Sequence, residues 1–271
     1  MFRPTSPRGQ DAWLPPATRR SFIRPAAVSF PVVGLLLAIW LPASAAWAQV
    51  IVPPNLAPGS KYRLVFVTGP YRDVNNVQQA GTMAATSGNI ADYNTFVTTV
   101  ANSNVQLKAL GTTWTAIAST ATVSAKSNTE TNGTGVPIYR LSGTAAQGYG
   151  RVADDYNDLW DGTIDVPVNV TQDGNTLTSD DGVYVWTGTS TSGTASGPLG
   201  SVDVRIGDAS VATSKWISDI GRNDVATPRR LYAMSGELTV SAVPEPASLG
   251  LGLAAALAGT AWWTRRRRRN R

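Results

Sequence analysis

Residues 152–174 read VADDYNDLWDGTIDVPVNVTQDG, and no other part of the chain mixes acidic and large apolar residues so densely. The aspartates of this stretch are Asp154, Asp155, Asp158, Asp161, Asp165 and Asp173. Tyr156, Leu159 and Trp160 stand between them. Because large apolar side chains are usually buried, they draw the neighbouring carboxylates towards the edge of a core. We therefore expect this stretch to fold around a buried tryptophan.

Three interpretations of these aspartates stay open. Aspartate forms turns and caps backbone N–H groups, which is a structural use. Calcium binds about six to eight oxygen ligands, which clustered carboxylates and loop carbonyls also supply. The candidate calcium ligands are Asp154, Asp155, Asp158 and Asp161. The third interpretation is a catalytic carboxylate pair, as in glycoside hydrolases. An EF-hand does not fit, because a loop that starts at Asn157 has Val168 in place of its final Glu.

The composition limits the chemistry that the chain can perform. Its 271 residues include no Cys and no His. The absence of Cys excludes disulfides, thiol nucleophiles and thiolate metal sites. The absence of His removes the commonest general base and transition-metal ligand. Any metal site would have oxygen ligands, so the sequence predicts no cofactor, with calcium as the one open alternative.

The positive net charge comes from the two ends of the chain. The whole sequence carries +5, but residues 49–243 contain 12 Lys and Arg against 16 Asp and Glu, a net charge of −4. A mildly acidic domain lacks the electrostatic basis for binding nucleic acid, so we expect no nucleic-acid partner. The length of this middle part suits one domain.

Residues 1–48 have the pattern of an export signal. Five arginines precede an apolar segment over 26–40, and Ala46-Trp47-Ala48 is an A-x-A cleavage site before Gln49. Residues 18–24, TRRSFIR, also resemble a twin-arginine signal, which would mean export after folding. An ordinary Sec signal with two adjacent arginines is the alternative. Residues 49–61 are rich in proline and form an extended lead-in.

The C-terminal residues 243–271 contain three consecutive parts. The first is the motif Val243, Pro244, Glu245 and Pro246, and the second is an uncharged apolar stretch over 249–263. The third is a basic run: Arg265, Arg266, Arg267, Arg268 and Arg269. The apolar part is about 22 Å long as a helix, short for a hydrocarbon core of about 30 Å. The arginines would stay on the cytoplasmic side of a membrane.

This order and spacing resemble the PEP-CTERM sorting tail, in which a Pro-Glu-Pro motif precedes an apolar helix and an arginine cluster. The resemblance covers about a tenth of the chain. It implies recognition by an exosortase, membrane attachment through the apolar helix before processing, and cleavage near the motif. It further implies a Gram-negative, exopolysaccharide-producing bacterium, with the protein at the cell surface or in the extracellular matrix. An ordinary C-terminal membrane anchor is the alternative.

Between the two ends, the pattern predicts one clear helix and several short strands. The helix starts at the N-cap Asn89 and runs through about Ser103, with apolar residues at helical spacing. A short helix is expected near 123–127, and residues 71–88 read as a loop. Predicted strands lie at 62–68, 114–119, 136–141, 183–187, 202–206, 231–235 and 237–241. The last two suggest a hairpin around Ser235-Gly236. The fold class is therefore α+β, or mostly β, with long loops.

The middle of the chain resembles bacterial surface domains of the C-type-lectin-like or endostatin-like kind over about 62–240. The matching segments are Trp114-Thr115-Ala116, Pro137-Ile138-Tyr139-Arg140-Leu141, the Asp-rich segment 153–162 and Val185-Trp186-Thr187-Gly188-Thr189. The resemblance implies a single α+β domain over 62–242 and ligand binding, often to sugar. Disulfides and the Glu-Pro-Asn, Gln-Pro-Asp and Trp-Asn-Asp motifs of calcium-dependent lectins are missing from this sequence, so no sugar-binding residue is carried over.

Together these features predict an exported, surface-sorted bacterial protein with a lectin-like ligand-binding domain and no catalysis. The expected partners are the export machinery, an exosortase, the membrane before processing and exopolysaccharide. Two alternatives stay open: a secreted glycoside hydrolase that uses Asp pairs, and a passive matrix protein without a specific ligand.

Overall fold

The strand β1, Lys61–Val67, is the centre of the fold. In a computed structural model, residues 52–53, 55–141, 150–178 and 182–241 are described. The predicted signal segment with Ala46 and Ala48, and the predicted sorting tail over 243–271, lie outside them. Among the described residues, no helix is long and apolar enough to span a bilayer.

Apart from the 14-residue helix α1, the other elements are short, and most are joined by long loops. The strands after β1 are β2 Tyr71–Arg72, β3 Gln78–Gln79, β4 Trp114–Ala116, β5 Ile138–Arg140, β6 Arg151–Ala153, β7 Tyr184–Trp186, β8 Val204–Asp208, β9 Gly221–Arg222, β10 Tyr232–Ser235 and β11 Leu238–Thr239. The helices are α1 Ile90–Ser103, α2 Val105–Ala109, α3 Ala125–Asn128 and α4 Tyr156–Leu159, with a 3-10 turn at Ser214–Trp216. The predicted α+β class with long loops is confirmed.

The main sheet has the strand order β4-β10-β1-β5-β6. β1 pairs with β5 in parallel and with β10 antiparallel, while β11 pairs with the start of β1. The first and last strands of the described domain are therefore neighbours. A second, antiparallel sheet has the order β7-β8-β9. Its β7 is joined to the segment before β10 of the main sheet, because the Trp186 amide donates to the Arg230 carbonyl at 3.0 Å, two residues before β10 begins.

Both faces of β1 are buried, which explains its continuous apolar sequence. Leu64 and Phe66 point into one core, which also contains residues of α1. Val65 and Val67 point into a second core, which contains Trp160. Because successive side chains of a strand face opposite sides, a strand between two cores needs apolar residues at nearly every position.

The helix α1 begins and ends as predicted. The Asn89 side chain accepts a hydrogen bond from the Ala91 amide, and Asp92 lies in the first turn, where the helix dipole favours a negative charge. Tyr93, Val97 and Val100 are buried against the sheet. The local sequence thus determines both the start and the buried face of this helix.

Two local predictions were wrong. β10 and β11 do not form a hairpin around Ser235-Gly236: both pair with β1, and the register shifts by one residue between them. This shift is a β-bulge, and the Ser235 hydroxyl accepts the Leu64 amide of β1 at 2.9 Å. Residues 71–88 are not all loop, because β2 and β3 form a small hairpin. Its turn is held by the Asp73 carboxylate, which accepts the amide of Val77 at 2.9 Å.

Candidate functional site

Trp160, at the centre of the acidic stretch, is buried as predicted, with 5% of its surface exposed. Its indole N–H donates to the Thr131 hydroxyl at 2.9 Å, and its ring lies 6.1 Å from that of Trp216 between centroids. Gly193 passes directly over the indole, since a Cβ there would lie 2.7 Å from Cδ2. The other tryptophans of the domain, Trp114, Trp186 and Trp216, are also buried.

The aspartates nearest to Trp160 cap the short helix α4 and its flanks. Asp155 is the N-cap, and its Oδ1 accepts the amides of Asn157 at 2.7 Å and Asp158 at 3.0 Å. The Asp158 carboxylate reaches back and accepts the Asp154 amide at 2.6 Å. These carboxylates satisfy N–H groups that a helix start leaves without partners.

Of the other aspartates, two pair with a cation, one holds a turn, and Asp173 accepts the side-chain amides of Asn104 and Gln172. The Arg151 guanidinium binds the Asp154 carboxylate, and its Nε lies 3.3 Å from Asp165 Oδ2. Asp161 Oδ1 accepts the Thr163 amide at 3.0 Å. Every aspartate that the sequence analysis proposed as a calcium ligand therefore has a protein partner.

This arrangement matches the structural interpretation of the acidic stretch. The described part of the chain contains no group of three or more acidic residues placed to hold a metal ion. The coordination of calcium by Asp154, Asp155, Asp158 and Asp161 stays a prediction, because a cation could still replace their present partners.

A buried cation on β1 forms a network that the sequence analysis missed. Arg63 is 5% exposed, its guanidinium carbon lies 5.0 Å from the centroid of the Tyr156 ring, and it donates to the Thr129 carbonyl. The Tyr156 hydroxyl donates to Glu237 Oε1 at 3.1 Å, and Lys61 Nζ lies 3.1 Å from the other Glu237 oxygen. The network joins β1, α4 and the bulge before β11 through a cation–π contact and charged hydrogen bonds.

Contacts within this network and burial shift the pKa values of Glu237 and Tyr156. The hydrogen bond from Lys61 lowers the pKa of Glu237, and the bond from Tyr156 adds to that effect. Burial raises the pKa of Tyr156, so the phenol stays protonated and can donate. The sequence signal for this network was the single arginine within the apolar run of β1, since a charge inside a buried strand requires partners.

A small cavity of about 150 Å³ lies beside β7, where a tyrosine is partly exposed. It is lined by Thr82, Gly182, Tyr184, Pro228, Arg229 and Arg230. The Tyr184 side chain is 39% exposed. The Arg229 guanidinium is held in place, because it lies 5.0 Å from the centroid of the Trp186 ring and 2.8 Å from an oxygen of Asp224. An exposed aromatic ring thus borders fixed polar groups.

A larger groove of about 390 Å³ lies where the described chain ends. Its lining includes Leu110 and Thr112 from the segment after α2, and Glu237 and Ser241 from the C-terminal strand region. Ser241, which lines this groove, is the last residue that the structure describes.

The chain was compared with protein-family models and with curated proteins. Neither comparison finds a match.

Proposed function

We propose that this chain is an exported, surface-sorted bacterial protein whose α+β domain is lectin-like and binds a glycan without catalysis. The observation that carries the binding part is the cavity in which Tyr184 borders Arg229 and Thr82. A pyranose ring has an apolar C–H face and a hydroxylated edge. An exposed aromatic ring covers the first, while a guanidinium and a hydroxyl bind the second.

The size of the cavity defines what it would accept. Small-molecule sites usually have volumes of about 300–1,000 Å³, and this cavity has about 150 Å³. It would therefore hold one sugar residue of a longer chain, which suits an exopolysaccharide better than a free oligosaccharide. The expected affinity of such a single subsite is low, and repeated units on a polymer would compensate for it by multivalency.

The lectin-like assignment is supported by where the matching sequence segments lie. The Trp-x-Ala segment forms β4, the Pro-x-Tyr-x-Leu segment contains β5, and the Val-Trp-Thr-Gly-Thr segment begins with the last two residues of β7. The Asp-rich segment 153–162 contributes α4 and the buried Trp160. Each segment therefore contributes to a structural element at the core. Residues in such positions are constrained by a shared fold more than by a shared ligand.

The sorting part of the proposal rests on the three-part tail after the domain. Val243-Pro244-Glu245-Pro246 begins four residues after Thr239, the end of β11. Because β11 pairs with β1, the tail begins from an anchored strand. An exosortase would thus meet its motif next to a folded domain. The N-terminal signal with Ala46 and Ala48 would supply the preceding export step.

Binding is tested with the processed protein on a glycan array and then by calorimetry with the selected glycan. Tyr184→Ala should weaken binding roughly tenfold, about 1.4 kcal/mol, because it removes the ring that covers the sugar face. Tyr184→Phe keeps the ring and should bind nearly as well. Val202→Ala, at an 86% exposed position, is the control for a general surface change. Binding that is unchanged in Tyr184→Ala would refute this site.

The same processed protein also tests the two alternative functions, a glycoside hydrolase and a passive matrix protein. Hydrolysis of exopolysaccharide would indicate the glycoside hydrolase, which needs a carboxylic acid of raised pKa. Glu237 beside Tyr156 has the opposite shift, because Lys61 lowers its pKa. A protein that binds no glycan and hydrolyses none would be the passive matrix protein.

A further inference from the structure

The chain contains two Asn-x-Thr sequences, Asn132-Gly133-Thr134 and Asn169-Val170-Thr171. This tripeptide is the acceptor sequence for N-linked glycans, which exported proteins carry on surface loops. The tripeptide alone does not decide whether a site is used, because the transferase must reach the asparagine amide and bend the chain around it. The structure separates the two sites clearly.

Asn132 lies at the tip of an exposed loop. Asn132, Gly133 and Thr134 are all exposed. Gly133 has φ +78°, and a Cβ added there would meet no atom within 4 Å, so its surroundings are open. The Asn132 side chain makes no hydrogen bond within the described part of the chain. An incoming enzyme would therefore not have to break any side-chain contact of the acceptor.

Both ends of this loop are anchored, so that the tip is presented at a fixed place. Before the tip, the buried Thr131 hydroxyl accepts the Trp160 indole N–H, and the Thr131 amide donates to the Lys126 carbonyl at 2.9 Å. After the tip, the Thr134 carbonyl accepts the Tyr156 amide at 2.7 Å. Within the described residues, Asn132 and Gly133 are left without such bonds, while Thr134, the third residue of the acceptor sequence, is held through its carbonyl.

Asn169 has the opposite surroundings. Its Oδ1 accepts a hydrogen bond from Arg140 Nη1 at 2.7 Å, and its carbonyl accepts the Leu177 amide at 2.7 Å. The following Val170 and Thr171 are 2% and 1% exposed. The Val170 carbonyl also accepts the Val67 amide of β1. A transferase could reach this asparagine only after the edge of the domain unfolds.

We propose that Asn132 is an N-glycosylation acceptor and that Asn169 is not one in the folded protein. The donor would be an oligosaccharide on a polyprenyl diphosphate, the class of activated sugar available at the outer face of an inner membrane. Asn132 Nδ2 forms a bond to the anomeric carbon, and the bond from that carbon to the diphosphate oxygen breaks. The lipid diphosphate leaves with the electron pair, and the amide proton passes to a base of the transferase. In the cell, the modification rests on the proposed export.

A reaction with purified components tests the acceptor independently of export. The full chain is incubated with a polyprenyl-diphosphate oligosaccharide and an oligosaccharyltransferase that needs no more than Asn-x-Thr. Tryptic peptides are then analysed by mass spectrometry. The peptide 127–140 should gain one glycan, and the peptide that contains Asn169 should gain none. Synthetic peptides 127–140 and 164–178, which cannot fold, should both be modified.

Matched variants and a cellular experiment complete the test. Asn132→Gln and Thr134→Val should abolish modification of the folded chain, while Asn169→Gln should leave it unchanged. Modification of Asn169 in the folded chain, or none of Asn132 while its peptide reacts, would overturn the proposal. In a Gram-negative host with the same transferase, an N terminus at Gln49 reports export. If only export fails, the proposed function is refuted. The reaction with purified components still tests whether Asn132 is the acceptor.

Discussion

Replacement of Trp160 by alanine is the most direct test of the core that organises the acidic stretch. The indole is 5% exposed, packs near Trp216 and donates to Thr131. Removal of such a side chain costs about 3–5 kcal/mol, from lost transfer energy and from the cavity. Thr131 loses the hydrogen bond from the indole but keeps the one with the Thr129 hydroxyl at 2.8 Å. The Thr131 hydroxyl therefore adds little to the cost. At about 2–4 °C per kcal/mol, the expected decrease in melting temperature is roughly 6–20 °C.

The assay is thermal and denaturant unfolding of the processed protein, followed by circular dichroism. Trp160→Phe keeps an aromatic ring and loses only the N–H bond and part of the area, so it should cost much less. Thr131→Val leaves the indole N–H buried without a partner, which costs about 1–3 kcal/mol. Val202→Ala should stay within about 0.5 kcal/mol of the wild type. A melting temperature of Trp160→Ala within error of the wild type would refute the buried indole.

Three further predictions concern pH, calcium and sorting. Burial raises the pKa of Tyr93 to about 12, while the phenol of the unfolded chain has a pKa of about 10. The stability from neutral Tyr93 is therefore complete below pH 10 and is lost as the pH rises towards 12. The stability deficit of Tyr93→Phe should shrink between pH 7 and pH 11, and an unchanged deficit would contradict this. If the acidic stretch binds calcium, saturation at 100 times Kd should stabilise the domain by about 2.7 kcal/mol over the chelator-treated protein. The gain should vanish when Asp158→Asn and Asp161→Asn are combined, and a wild type that does not respond to calcium rejects the site. Glu245→Ala should leave an uncleaved, membrane-retained form, and an unchanged mature mass and location would exclude the motif as the recognition element.

The elements that the sequence predicted well depend on local signals. α1 is specified by the Asn89 cap and by buried residues at helical spacing, all within one segment. β1 is specified by an apolar run long enough to line two cores. In both cases the information needed for the prediction lies within about a dozen neighbouring residues.

The parts that the sequence did not predict depend on distant partners. The apolar runs 231–235 and 237–241 look like two arms of a hairpin, because Ser235-Gly236 between them is a common turn sequence. In the structure, β1 pairs with both arms, and Gly236 belongs to a bulge whose amide donates to the Thr113 carbonyl at 2.9 Å. Because the central strand β1 supplies backbone hydrogen-bond partners to both segments, they do not have to pair with each other. No local sequence pattern reveals that β1 is the partner of both.

The acidic stretch shows why residue composition cannot distinguish a metal site from a network of caps. Close carboxylates repel each other unless solvent, hydrogen bonds or a cation compensates them. Here Asp155 and Asp158 accept backbone amides at the start of α4, and Arg151 bridges Asp154 and Asp165. The cation in this network comes from β6, which no spacing rule for aspartates includes. The negative charge of the stretch is therefore compensated within the fold, and calcium would have to compete with these partners to bind.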